Sequence, residues 1–162
     1  MRPILFRGKT TENNGVCSPV GEWVKGHFVN AENVIEDAER SYIIEEAEYY
    51  THGEFSSVYE VDPATVGQFT GLTDINGVEI YEGDIVKTHY ANAKKADFVE
   101  TVVFRGGKFC AMDKLQGGGF TFAPLADGVP HVSADHSVYM DRVEVIGNVH
   151  DNPELLEREA EK

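Results

Sequence analysis

Glycine-centred turns between short β-prone segments constrain this chain more than any other feature. Asn76-Gly77 separates Thr73–Ile75 from Val78–Tyr81, and Glu82-Gly83-Asp84 leads into Ile85–Tyr90. Arg105-Gly106-Gly107 joins Phe98–Phe104 to Lys108–Met112, and Gly117–Gly119 precedes Phe120–Phe122. An Asn-Gly pair between apolar segments is the signal of a tight type I′ hairpin, whose two central residues both take positive φ. With Val143–Val149 as a last strand, this half of the chain reads as a small antiparallel barrel over residues 69–150. No internal repeat is visible.

The first third is read with less regularity. Ile4–Phe6 makes a first strand that Arg7-Gly8-Lys9 turns, and residues 10–20 are a polar loop. Residues 22–29 alternate with period two, the pattern of a half-buried strand. Residues 30–54 are ambiguous between helix and strand: good helix formers lie up to about Arg40, and the β-prone Tyr42-Ile43-Ile44 follows. Residues 57–61 form a further strand. Asp62 then caps a helical turn that starts at Pro63 and stops near Gly67, and Gly71 breaks the chain again. At the other end Asn152 caps a C-terminal helix with Pro153 in its first position, and Glu154 and Glu157 complement the helix dipole. The expected class is therefore mainly β, α+β at the margins. Its parts are an acidic N-terminal β or α+β subdomain (1–68), the barrel (69–150) and a C-terminal helix (151–162).

Charge sorts the possible functions. The 162 residues carry a net charge of −14. Residues 21–62 hold eleven Asp/Glu against two Lys/Arg, and residues 151–162 five against two, whereas residues 63–110 are nearly balanced at six against five. A polyanionic duplex is repelled by such a surface unless bases are segregated elsewhere. No apolar stretch is long enough to span a bilayer and no signal-peptide pattern follows Met1, so a cytoplasmic protein without membrane contact is expected. In that compartment Cys17 and Cys110 are expected as free thiols.

Chemistry-bearing residues are sparse. His131, Asp135 and His136 have metal-ligand types at short spacing and would need His89 or His150 to complete a site; the simpler reading is an exposed polar loop, and no metal or cofactor is expected. Glu82 and Asp84 flank Gly83 and could pass for paired catalytic carboxylates, but turn formation explains them better. The glycine runs match no phosphate loop and the serines no nucleophile elbow, so no catalytic residue is assigned and an enzyme is not expected. Tyr42, Glu45, Glu46, Glu48, Tyr49 and Tyr50 form the most unusual segment. Aromatics among carboxylates suit an interaction patch that selects a basic protein partner, with packed inward aromatics as the plainer alternative. A run of carboxylates can also imitate DNA phosphates and block a DNA-binding enzyme. Lys87, Lys94, Lys95, Arg105 and Lys108 would form a basic strip if the barrel bound nucleic acid.

Four segments, in order, carry a family resemblance: FRGK at 6–9, GEWVKG at 21–26, TVGQFTGLTDINGVEIYEGDIVK at 65–87 and VEVIGNVHDNPELL at 143–156. Together they resemble the YopX family of phage and prophage proteins, over nearly the whole chain, with departures in residues 30–54 and 113–138. The resemblance implies a two-part protein whose C-terminal part is like an SH3-type barrel, and a phage setting. It carries no catalytic residue or ligand onto this chain. With the acidic surface and the missing catalytic signals, it leads to the expectation of a non-catalytic accessory protein that binds a host or phage protein, as a homo-oligomer.

Overall fold

The computed structural model describes residues 4–11, 20–33, 38–45, 57–89, 98–114, 120–124, 131–132, 138–139 and 142–160. It is mainly β, and the chain forms two compact units, Met1–Phe69 and Thr70–Lys162.

The N-terminal unit is built from β1 (Phe6–Lys9), β2 (Trp23–Asn33), β3 (Ala38–Ile44), β4 (Val58–Val61) and the start of β5 (Gly67–Thr73), in the sheet order β4-β3-β2-β1-β5. Arg7-Gly8-Lys9, expected as a turn, is strand, paired with Lys25, Val24 and Trp23. Beyond it Thr10 bridges Val61, the Thr11 N–H donates to the Glu60 carbonyl, and the Asp62 N–H donates to that of Lys9. The end of β1 thus meets the outer strand β4, and the sheet curls round its core of Val24, Ile43 and Val61 with Phe6, Tyr59 and Val66. The curl brings backbones close: a Cβ on Gly26 would run into the carbonyl of Ile44.

The helical tendency before Arg40 is overridden. Asn33 pairs with Ala38, and six further pairs run from there to His27 with Ile44. Local propensity differs by tenths of a kcal/mol per residue, whereas antiparallel pairing buries Ile43 and satisfies the backbone along both strands. The turn after β4 is as expected. Pro63–Thr65 is a single 3-10 turn, with Asp62 accepting from the Ala64 N–H at 2.9 Å. The turn stops just before Gly67, which opens β5, whereas Gly71, expected as a break, lies inside that strand.

In the second unit the rest of β5 forms a hairpin with β6 (Glu79–Tyr81). The main sheet comes next, made of β7 (Asp84–His89), β8 (Phe98–Arg105), β9 (Lys108–Lys114) and β10 (Phe120–Pro124). After the short pair β11 (His131–Val132) and β12 (Val138–Tyr139), β13 (Arg142–Asn148) completes it in the order β10-β9-β8-β7-β13. All its pairings are antiparallel. Among the described residues no pairing joins β10 to β13, so the sheet is open rather than the closed barrel expected from its turns. Its core comes instead from layering. Leu72 of β5 and Ile80 of β6 pack on Val86, Val102, Ala111 and Val143 of the sheet. The end of β10 and all of β11 fall within residues 123–137, whose two prolines and lack of periodicity suggest a surface loop from sequence alone.

The expected type I′ turn lies elsewhere than at Asn-Gly. The type I′ geometry occurs at Gly106-Gly107, whose φ values of 61° and 81° link the directly paired Arg105 and Lys108. At Asn76-Gly77 the loop has three residues. The Gly77 N–H donates to the Asp74 carbonyl, the Asp74 N–H donates to that of Val78, and Gly77 has φ 82°. This is a type I turn with a glycine bulge. The Asp74 carboxylate selects it, since Oδ1 accepts from the N–H groups of Asn76 (2.7 Å) and Val78 (2.9 Å). Its other oxygen accepts from the Val145 N–H at 3.0 Å, and the Ile75 N–H donates to the Val143 carbonyl, so the hairpin tip is tied to β13.

The C-terminal helix α1 (Glu154–Ala160) packs against β8. Asn152 carries the chain into it, but its Oδ1 accepts from the Asn148 N–H at 3.3 Å, and the Asn148 Oδ1 accepts from the N–H groups of His150 and Asp151. The expected side-chain cap is thus a lock on the preceding turn.

Candidate functional site

Strand alternation divides the N-terminal sheet into two faces. Phe6, Val24, Phe28, Ile43, Tyr59 and Val61 point into the core, with the rings of Phe6 and Phe28 5.4 Å apart. Every intervening residue points the other way. Arg7 and Lys9 on β1 stand opposite Lys25 and Trp23 on β2. Further along, His27 stands opposite Ile44, Val29 opposite Tyr42, and Tyr42 opposite Glu60.

This outer face has an aromatic centre for its cations. The Arg7 guanidinium carbon lies 4.7 Å from the centroid of the Trp23 ring, and the Lys9 ammonium 5.4 Å. Both lie within cation–π range, and each such contact contributes about 0.5–2 kcal/mol according to how far it is desolvated. Arg7, Lys9 and Trp23 are half-buried, while Lys25 and His27 beside them are exposed. Towards β4 the face turns apolar: Val29 is 40% and Val58 48% exposed, next to half-buried Ile44 and Tyr42. An ion pair crosses this end, Arg40 Nη1 to Glu60 Oε2 at 3.0 Å. The face therefore combines Trp, Tyr and Arg with accessible valines, the residue types that anchor protein interfaces.

Of the residues picked for an interaction patch, Tyr42 lies on this face. Glu45 lies just past β3, where its Oε2 accepts from the Tyr59 hydroxyl at 3.2 Å. Glu46, Glu48, Tyr49 and Tyr50 lie outside the described residues. Tyr42 thus stands between Val29 and Glu60 across the sheet, with Arg40 and Ile44 beside it on the same face.

The basic strip is not assembled by the residues described. Lys87, Arg105 and Lys108 do share one face of the C-terminal sheet. Arg105 and Lys108 form an exposed pair at the β8–β9 turn, but Lys87 stands opposite Val99, six residues along β8 and so about 20 Å away. Between them Ile85, Thr101 and Cys110 are buried, and Glu144 faces Lys87 from β13. Lys94 and Lys95 lie outside the described residues.

The remaining candidates are structural where they are described. Asp84 is buried and accepts from the Tyr81 N–H at 2.7 Å, and Glu82 accepts from the Phe104 N–H at 3.3 Å. His131 pairs with Tyr139 in the β11–β12 ladder, His89 with Arg142, and His150 is exposed. Asp135 and His136 lie outside the described residues, among which no group of three or more His, Cys, Asp or Glu could hold a metal ion. Cys110 is a free, buried thiol, and Cys17 lies outside. No described helix is long and apolar enough to cross a membrane.

The cluster of Arg7, Lys9, Trp23 and Lys25 was missed in the sequence because a count over residues 21–62 averages Lys25 with eleven acids and leaves Arg7 and Lys9 out. The period-two placement of R-x-K on one strand and W-x-K on the next was the available signal, once the two were paired.

Comparison with known proteins adds a family. No curated protein matches the chain. Among solved structures, protein EF1440 from Enterococcus faecalis is similar at 22% identity and a TM-score of 0.42, covering 94% of this chain and 96% of that one. The family model described as YopX protein matches residues 6–157, which takes in all four segments of the resemblance, two of which are the strands holding the cation–aromatic cluster. The chain belongs to the YopX family.

Proposed function

We propose that this protein is a non-catalytic interaction module, and that the outer face of β1–β4 in its N-terminal unit is the surface that meets the partner. The observation that carries the reading is the Trp23 cluster, with Arg7 and Lys9 held over one indole next to exposed Lys25. Such an arrangement fixes long cationic side chains that would otherwise lose rotamer freedom on binding. The valines and Tyr42 beside it supply apolar contact area. Family membership supports an accessory role in a phage or prophage, in the host cytoplasm, with a host or phage protein as partner. A homo-oligomeric state belongs to the same reading and is checked by light scattering.

The test is differential capture from nuclease-treated host lysate. Wild type and an Arg105→Glu/Lys108→Glu control are expected to retain the same protein, which Tyr42→Ala and Lys9→Glu lose. Retention that ignores the N-terminal face, or that disappears with nuclease, refutes the reading.

A further inference from the structure

We infer that Asn76-Gly77 is a self-modification site, where the chain converts asparagine to aspartate and isoaspartate, and that Asp74 holds the reaction off while the β5–β6 hairpin is closed. The chemistry needs only water. The Gly77 backbone nitrogen gives up its proton and attacks Cγ of the Asn76 side chain. A C–N bond forms, the side-chain amide takes up the proton and leaves as ammonia, and a five-membered succinimide remains. Water then opens the ring at either of its carbonyls. One opening restores the main chain with aspartate at 76; the other carries the main chain through the β-carbon as isoaspartate.

The tip is open to this attack. Asn76 and Gly77 are both exposed, and a Cβ built on Gly77 would meet nothing within 4 Å. The turn opposes it. The Gly77 N–H, whose proton must leave, donates to the Asp74 carbonyl at 3.0 Å. On either side of that bond, the N–H groups of Asn76 and Val78 are held by one Asp74 oxygen at 2.7 and 2.9 Å. The Asn76 side-chain amide is hydrogen-bonded to the same carboxylate, so the group under attack is restrained as well. Asn76 is the third residue of the type I turn, a position whose ψ is about 0°. Closing the succinimide ring brings Cβ and Cγ into the plane of the peptide between residues 76 and 77, which rotates ψ well away from that value. The ring therefore forms from the opened turn, at a rate scaled by the open fraction.

The product differs from the starting turn. Aspartate at 76 sets a second carboxylate beside Asp74, and isoaspartate inserts a methylene into the main chain between the two N–H groups that share Oδ1. Since the other Asp74 oxygen holds the Val145 N–H of β13 at 3.0 Å, conversion loosens the tie between the hairpin tip and the sheet.

The full chain is incubated at neutral pH and physiological temperature, folded or in urea, and conversion is followed by peptide mapping with mass spectrometry. Mapping separates residue 76 from a second pair, Asn14-Gly15, which lies outside the described residues. Asn76 is expected to convert in urea and at least about tenfold more slowly in the folded protein. The slowing is expected to be no smaller than the protection of the Gly77 N–H against hydrogen exchange, a comparison that needs no variant. Asp74→Ala, shown to be folded by circular dichroism, is expected to convert at least about fivefold faster than wild type. Val102→Ala, which truncates the core and leaves the turn's bonds in place, is expected to stay within about twofold. In converted protein the Val145 amide exchanges faster. No conversion at Asn76 in urea, equal rates in folded and denatured protein, or a slowing smaller than the Gly77 protection overturns the inference. Equal acceleration by folded Val102→Ala and Asp74→Ala overturns the role of Asp74.

Discussion

Replacing Asp74 isolates the one carboxylate that decides how the β5–β6 hairpin is built. Its 7% exposure and three N–H donors, from Asn76, Val78 and Val145, make it a buried acceptor for two otherwise separate backbone segments. A hydrogen bond to a charged group contributes about 1.5–3 kcal/mol, but Asn76 and Val78 are exposed and water replaces their partner at little cost. The Val145 N–H is the donor least able to find a substitute. Asp74→Ala is therefore expected to destabilise the C-terminal unit by about 2–4 kcal/mol, well short of the sum of three bonds. Asp74→Asn keeps Oδ1 for the turn but directs an NH2 at the Val145 N–H, and about 1–2 kcal/mol is expected.

The same residue sets a pH signature. Burial pushes its carboxyl up, but the N–H bonds from Val145, Val78 and Asn76 outweigh this and hold its pKa below the ordinary 3.8. With the folded pKa the lower one, the stabilisation is complete above the unfolded pKa and is lost as pH falls through the folded one. The gap between wild type and Asp74→Asn is accordingly constant near neutrality and narrows below about pH 4. Urea unfolding followed by far-UV circular dichroism measures both quantities, with amide exchange at Val78 and Val145 reporting locally. A loss under about 0.5 kcal/mol in Asp74→Ala, or a gap that widens on acidification, refutes the reasoning.

Two further substitutions test the turns and the curl. Gly26→Ala places a methyl against the Ile44 carbonyl, and because backbone must move, a loss of about 3 kcal/mol or more is expected, read from the urea midpoint of Trp23 fluorescence; an unchanged midpoint contradicts the close packing of β2 on β3. Gly107→Ala has open space but a φ of 81°, so it is expected to lose only about 1 kcal/mol by circular dichroism, with the β8–β9 register kept.

Residue order alone determined the class and most of the second unit. Alternation fixes which side chains share a face, and glycine is the residue for which positive φ carries no steric penalty, so Phe98–Met112 was legible as a hairpin from its residues. The family likewise followed from four local segments. Tertiary structure decided what depends on partners distant in sequence. Residues 30–33 and 38–40 became strand because Ala38–Ile44 lies against β2, a pairing whose free energy exceeds a small local preference for helix. The Asn-Gly turn took its bulged form because Asp74 also holds Val145, 71 positions away. Among the described residues the core of the C-terminal sheet is covered by a hairpin laid over it, and no strand pairing joins its edges. The candidate surface shows this dependence most plainly. Arg7 and Trp23 are ordinary residues of separate segments, and charge counted along the chain assigned their neighbourhood to the acids. Antiparallel pairing sets them on one face because Coulomb and cation–π energies depend on distance in space, and only the fold sets that distance.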